Sequence, residues 1–214
     1  SPTSTQEVST ILRLASEHRV PVVPRGAGSG LSGGAAAIDG ALTVVLTELD
    51  RILHVDPDDM YVVVQPGVIT ADLGRAIASD GLFYPPDPAS HEFCSIGGNL
   101  AEDAGGLRCV KYGVTRDYVL GLEVVLADGS VIRTGGRTVQ DAMGYDLTQL
   151  FVGSEGTLGI ITEATLRVLP MPAAPVTALA FFVSPVDAGR AVAGITRAGI
   201  VPATLELMDR ATIR

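Results

Sequence analysis

Residues 24 to 34 read Pro-Arg-Gly-Ala-Gly-Ser-Gly-Leu-Ser-Gly-Gly, which places five glycines, two serines and one arginine between two apolar, β-branched stretches. Set between two strand-like segments, the run reads as a loop of exposed main chain. Glycine permits positive φ values that turn successive amides toward one point, and without a Cβ it lets an anion approach the backbone. The segment Pro24, Arg25, Gly26, Ala27, Gly28, Ser29, Gly30, Leu31 and Ser32 therefore reads as an anion cradle, the alternative being a plain surface turn. The register Gly28, Gly30, Gly33 also fits the dinucleotide fingerprint G-x-G-x-x-G, with Glu48 lying 20 residues beyond Gly28. That fit is a decoy, because the fingerprint opens a helix and only Ala35 to Ala41, broken by Gly40, precede the next strand-like run. A G-x-x-x-x-G-K-[ST] loop is excluded too, since Lys111 is the only lysine.

The charge balance narrows the partners. A formal net charge of -9 and the lack of any basic run argue against nucleic acid or an anionic membrane surface. No apolar stretch reaches the roughly 20 residues that span a bilayer, and no signal-peptide core opens the chain, so a cytoplasmic protein is expected. Fourteen of the 15 basic residues are arginine, a bias of composition more than of function. Cys94 and Cys109 make neither a disulfide framework nor a zinc pattern, and His18, His54 and His91 are scattered, so no metal is expected. With 47% hydrophobic residues over 214 positions, the chain can bury a substantial core.

Periodicity outlines the elements. Ser4 and Glu7 form a capping box ahead of Val8, Ile11, Leu12 and Ala15, one face of a helix. Val20 to Val23, Leu42 to Thr47 and Met60 to Gln65 read as strands, the last ended by Pro66-Gly67. Thr70 is placed to cap a helix with Leu73, Ala76 and Ile77 on its apolar side, closed by Gly81. This half alternates like an α/β unit. From Tyr118 onward, Leu120 to Ala127 and Ser130 to Arg133 flank Asp128-Gly129 as a hairpin, so antiparallel pairing follows and the expected fold is α+β in two lobes. Beyond Leu169-Pro170-Met171-Pro172, Thr177 to Val183 reads as a strand. Ser184 and Pro185 cap a helix carrying Ala188, Ala191, Val192 and Ile195, and Val201 to Met208 reads as a further strand.

Two more glycine clusters lie downstream, Ser95 to Gly106 and Val152 to Ile161, with rigid Tyr84-Pro85-Pro86-Asp87-Pro88 ahead of the first. Three separated glycine loops imply a long ligand with several contact zones; three ordinary tight turns are the alternative.

Four stretches together resemble a known family: Pro24 to Gly34, Ser-Ile-Gly-Gly-Asn at 95–99, Lys-Tyr-Gly-Val-Thr-Arg-Asp at 111–117, and Gly-Ser-Glu-Gly-Thr-Leu-Gly-Ile-Ile-Thr at 153–162. They are similar, in order and spacing, to the FAD-linked oxidases, whose FAD-binding PCMH-type domain is shared with the vanillyl-alcohol oxidase and p-cresol methylhydroxylase superfamily. Within it, the likeness is to glycolate oxidase flavin subunits and D-lactate dehydrogenases. The resemblance implies a two-lobed FAD-binding domain over residues 1–170, then the start of an α/β cap over 171–214. It also implies an FAD pyrophosphate on the amides of Arg25 to Gly34. Pro88 and Ser90 through Gly106 would follow the flavin and ribityl chain, with Cys94, Ser95, Gly97, Gly98, Asn99, Asp103, Gly105 and Gly106 among the contacts, and Tyr112, Gly113 and Val114 would also bind the cofactor. Gly156, Gly159, Ile160 and Ile161 would hold the adenine side, together with Pro66, Gly67 and Val68.

Some relatives tether the flavin to a histidine in the first loop or a cysteine in the second. Those positions fall on Ser29 and Phe93 here, so the resemblance implies noncovalent FAD, with Cys94 packed as a small apolar side chain unless the register shifts by one. Arg25 either adds a cation to the cradle or pairs with a carboxylate; His91 either reaches the flavin or substrate or is solvated. The implied reaction is oxidation of a D-2-hydroxy acid such as glycolate or D-lactate by hydride transfer to flavin N5. Electrons would pass to a quinone or an acceptor subunit, through which the protein would sit at the membrane periphery. No catalytic side chain is identified, and the substrate-choosing residues are expected beyond Arg214. A noncatalytic flavin-binding module, or an oxidase of a sugar, aldonolactone or phenol, is the alternative.

Overall fold

The computed structural model describes residues 1–138 and 143–212. The first helix, α1 (Thr5–Glu17), begins where Ser4 accepts a hydrogen bond from the Glu7 amide, and it buries Val8, Leu12 and Ala15. That stripe packs on β1 (Val22–Arg25) and β2 (Leu42–Val45). These strands pair in parallel, Val22 opposite Leu42 and Arg25 opposite Val45. Parallel neighbours need a long crossover, usually a helix. Here the glycine loop itself is the crossover and no helix follows Gly33, so the fingerprint match is structurally empty.

The second lobe is a five-stranded antiparallel sheet of β3 (Ile52–Asp56), β4 (Tyr61–Val64), β6 (Val119–Val125), β7 (Val131–Gly135) and β8 (Ile160–Arg167), in the order β3-β4-β8-β6-β7. Its first two strands are β3 (Ile52–Asp56), which the sequence pattern does not single out, and β4 (Tyr61–Val64), whose side chains are all buried. The strand at 60–65 therefore does not belong to an α/β alternation: it pairs antiparallel with β3 and with the distant 160–167 segment. A continuous apolar run suits a strand covered on both faces, and that property carries no information about direction.

Helix α2 (Thr70–Ala78) and the short β5 (Leu82–Phe83) follow, then α3 (Ile96–Glu102) and α4 (Cys109–Tyr112). The hairpin is β6 (Val119–Val125) with β7 (Val131–Gly135), turning at Gly129 with φ 84°. Next come α5 (Leu147–Phe151), β8 (Ile160–Arg167) and β9 (Leu169–Pro170), the last paired with β5. The main core lies between this sheet, α2 and α3, with Val64, Leu73, Ile77, Ile96, Leu100, Val124 and Leu166 at its centre.

Two expectations fail locally. Thr70 is not the cap of α2: Ile69 holds that position without a side-chain bond, and the Thr70 hydroxyl turns inward. Past β9, α6 (Pro185–Arg197) forms with Ser184 as its cap, but 177–183 and 201–208 are not strands. Val176, Leu179, Phe181 and Val183 stand exposed, and no described strand lies alongside to pair with their main chain.

Candidate functional site

The first wall of the site is the loop leaving β1. Among the described residues, the main-chain N–H groups of Gly28 through Ala35 donate to nothing within the protein. Backbone donors are almost always paired, so consecutive free ones mark a surface built for an external acceptor. Gly28 takes φ 74°, and the Arg25 guanidinium lies directly beneath it, where a Cβ on Gly28 would collide with Nη2. Arg25 makes no ion pair among the described residues and donates weakly to the Ala35 carbonyl at 3.4 Å. Its charge thus underlies the cradle and is not spent on a carboxylate.

The second wall is the start of α3. Ser95 caps it, its Oγ accepting from the Gly98 amide at 3.3 Å and also from the Ala27 amide of the first loop at 3.3 Å. One hydroxyl therefore stitches two glycine segments together. Gly26 is required there, since a Cβ would collide with Ser95 Oγ. The Gly97 amide donates to the Pro66 carbonyl at 2.7 Å and that of Ile96 to Val68 at 2.8 Å, seating α3 on the end of β4. The third wall is the turn into β8: the Glu155 amide donates to Ala101 at 2.9 Å, and Gly156 lies against the Pro24 ring.

These walls enclose an elongated cavity of about 610 Å³, within the range usual for small-molecule sites. Pro24, Arg25, Gly26, Ala27, Gly28, Ser29, Gly30, Leu31 and Ser32 line it, as do Pro66, Pro88, Ser90, Ser95, Gly97, Gly98, Asn99 and Gly105. Gly156, Gly159, Ile160 and Ile161 complete the predicted set that the fold brings together. Eight predicted positions do not reach the cavity. Gly67 is wedged among the Leu46, Thr47 and Leu49 carbonyls, and Val68 is in the core. Cys94 is buried behind the wall beside Thr70, packed as the small side chain expected. Asp103 caps α3 with φ 51° and pairs with Arg116, while Gly106 abuts the Asp87 carbonyl. Tyr112, Gly113 and Val114 lie beyond the wall, where Tyr112 meets the Phe83 ring edge-on. His91 pairs with Glu92 at the surface and is not part of the cavity wall.

Sequence reasoning misses Leu46 and the carboxylate of Glu155, and within the predicted 90–106 segment it does not single out Ala101, Ala104 or a second carboxylate, Glu102. Glu102 accepts from the Ser32 hydroxyl at 3.3 Å and covers Gly30 so closely that a Cβ there would collide with Oε1. An acidic group beside an anion cradle runs against simple charge reasoning, so no pattern marks it. In the main core, burial pushes the Tyr84 phenol well above its ordinary range, with the neighbouring Tyr118 and Cys94 adding to the shift. Its hydroxyl has no hydrogen-bond partner among the described residues, and nearby Thr115 is committed to the Ala104 carbonyl at 2.7 Å.

The wall suits a dinucleotide carrying a flat ring. Free amides and the guanidinium beneath them match the donors a diphosphate requires, while Pro88, Phe93, Ala101, Ala104 and Ile161 offer apolar surface to a ring. A two-lobed α+β frame whose three glycine loops converge in this way defines an FAD binding domain. Residues 1–135 match the family model described as FAD binding domain, and residues 171–214 match FAD linked oxidases, C-terminal domain. The chain belongs to this family, and FAD is its cofactor.

Among curated relatives, glycolate oxidase subunit GlcD of Bacillus subtilis is 53% identical over 213 residues, covering 100% of this chain and 45% of that protein. D-lactate dehydrogenase of Anaerostipes hadrus is 41% identical, covering 99% of this chain and 44% of the relative. The chain thus spans less than half the length of the curated relatives it matches. Among solved structures, alkyldihydroxyacetonephosphate synthase superposes with a TM-score of 0.81 at 27% identity, covering 95% of this chain and 37% of that one.

Proposed function

We propose that this chain is the FAD-binding part of an oxidoreductase that oxidises a D-2-hydroxy acid of the glycolate or D-lactate type. The observation that carries the reading is the end-to-end likeness to a glycolate oxidase subunit, 53% over the whole chain, with the glycine loops included. Residues 1–170 would form the FAD-binding unit and residues 171–214 the opening of a substrate-covering domain. Bound FAD supplies a hydride acceptor for the carbon that bears the hydroxyl. The chain's own contribution is to hold it: the amides of Gly28 to Ala35 and the Arg25 charge take the diphosphate, Ser95 locks the first wall to the second, and Phe93 with Pro88 shields the ring.

Attachment is noncovalent in this reading, since Ser29 and Phe93 stand at the tethering positions and Cys94 faces away from the cavity. Electrons pass to a quinone or an acceptor subunit, which would place a cytoplasmic protein at the membrane edge. No described helix is long and apolar enough to cross a membrane. The exposed apolar stretch from Val176 to Val183 favours a second reading, in which this chain binds FAD but turns over only with further protein packed on that face.

The test is anaerobic mixing of the FAD-reconstituted protein with glycolate and with D-lactate. Bleaching of the flavin band supports the enzyme reading. Bound flavin that neither acid reduces supports the second reading, and protein that takes up no flavin refutes both.

A further inference from the structure

Behind the second wall lies a buried polar group that the cavity itself does not use. Thr70 is 5% exposed, Asn99 is 3% exposed, and Asn99 Nδ2 donates to Thr70 Oγ1 at 2.6 Å. The Thr70 hydroxyl in turn reaches the Cys94 carbonyl at 3.3 Å, which already accepts the Thr70 amide at 3.0 Å. The hydroxyl also lies 3.3 Å from Cys94 Sγ, where either atom can donate, and with its hydrogen directed to Cys94 its lone pairs accept from Asn99. In this arrangement the Asn99 NH₂ faces Thr70, its oxygen accepts no hydrogen bond among the described residues, and Asn99 belongs to the cavity wall.

We infer that Thr70 is a positioning residue for the FAD site, holding the Asn99 side chain so that this wall presents a hydrogen-bond acceptor to the N–H groups of a bound flavin. The inference rests on the assignment of this cavity to FAD. Thr70 is not part of the cavity wall, and its position at the start of α2 disguises it as an ordinary helix cap. Its hydroxyl is instead turned inward to the second wall, and burial makes the geometry costly to break.

The experiment uses the longest natural protein containing this chain, purified with FAD, and the variants Thr70→Val, Thr70→Ser and Asn99→Ala. Loss of the hydroxyl frees the Asn99 amide and buries an unpaired NH₂. Thr70→Val should weaken FAD binding roughly three- to tenfold and shift both the flavin absorption bands and its reduction potential. Thr70→Ser, which keeps the hydroxyl, should restore all three. In the Asn99→Ala background, Thr70→Val should change flavin properties no further, because its effect runs through Asn99. If Thr70→Val lowers thermal stability but leaves flavin affinity, spectrum and potential unchanged, Thr70 is merely structural and the inference is overturned. Should Thr70→Val not fold, Thr70→Ala carries the same comparison against Thr70→Ser. A wild-type protein without flavin would overturn the site assignment itself, a result distinct from unchanged flavin in the variants.

Discussion

One chemical change, glycine to alanine, should have opposite signs in two helices of this protein. Gly74 lies inside α2 with no neighbouring atom within 4 Å of an added methyl, and Gly97 lies in the first turn of α3. Neither has a left-handed backbone, so conformational strain is absent at both. Gly74→Ala should raise stability by about 0.5–1 kcal/mol, the helix-propensity and chain-entropy gain alone. At Gly97 the same gain is opposed by a methyl 2.6 Å from Pro66 Cβ and 3.0 Å from its carbonyl oxygen, the atom that accepts the Gly97 amide. Overpacking costs about 1–3 kcal/mol and weakening that hydrogen bond about 1 more, so the net loss is about 1–3 kcal/mol. Because α3 moves with Ser95, both of its stitches loosen, and FAD affinity should fall about tenfold, equivalent to about 1.4 kcal/mol. Thermal melts of the apoprotein and FAD titration followed by flavin fluorescence check both variants. If Gly97→Ala is as stable as Gly74→Ala and binds FAD as wild type does, the close seating of α3 on Pro66 is not what shapes the site.

Tyr84→Phe removes a buried hydroxyl without a partner and should cost little or slightly stabilise. The folded phenol titrates above its unfolded counterpart, so it contributes stability that is present below about pH 10 and lost as the pH rises past it; melts from about pH 8 to 11 should show a shallower alkaline fall in the variant. Glu102→Gln takes a negative charge from beside the glycine loop proposed to hold the diphosphate and should tighten FAD binding about two- to fivefold at low salt, the gain fading at about 1 M salt. Glu123, a buried residue of β6, accepts from Thr5 at 2.7 Å, Thr162 at 2.9 Å and Arg133 at 2.5 Å. Arg133→Met should cost about 1–2 kcal/mol by urea denaturation, less than a fully buried pair because the guanidinium is largely exposed. Acid precipitation of the FAD-loaded protein should leave a colourless pellet, with all the flavin recovered unmodified by mass spectrometry.

The local signals that carry furthest are those tied to a single residue's chemistry. Ser4 with Glu7 marks the start of α1, Asp128-Gly129 the hairpin, and Pro66-Gly67 the end of β4. Partner choice is not legible in the same way. The run of valines in β4 is equally compatible with a parallel or antiparallel neighbour, and only the fold sets Val64 opposite Ala164. The site divides along the same line. Glycines whose need arises from close approach, such as Gly26 and Gly97, stand out through the loop pattern, although the side chains that crowd them lie far off in the sequence. Glu102 escapes any pattern because its position depends on how α3 is seated. Thr70 misleads because a hydroxyl at a helix start has two uses, and burial decides between them. The segments at 177–183 and 201–208 have strand-like composition, but a strand is a property of a pair, and no described neighbour completes one.

The walls of the cavity are synthesised far apart. A ribosome makes the loop at 26–35 first, then the Pro66 turn, then Ser95 and α3, and only later the turn at 156–161 that touches Pro24. Until that last turn emerges, the free amides of the first loop face solvent and the enclosure does not exist. FAD capture should therefore wait for the late stage of translation: nascent chains arrested before Gly156 should not retain the cofactor, while those long enough to bring β8 outside the ribosome should.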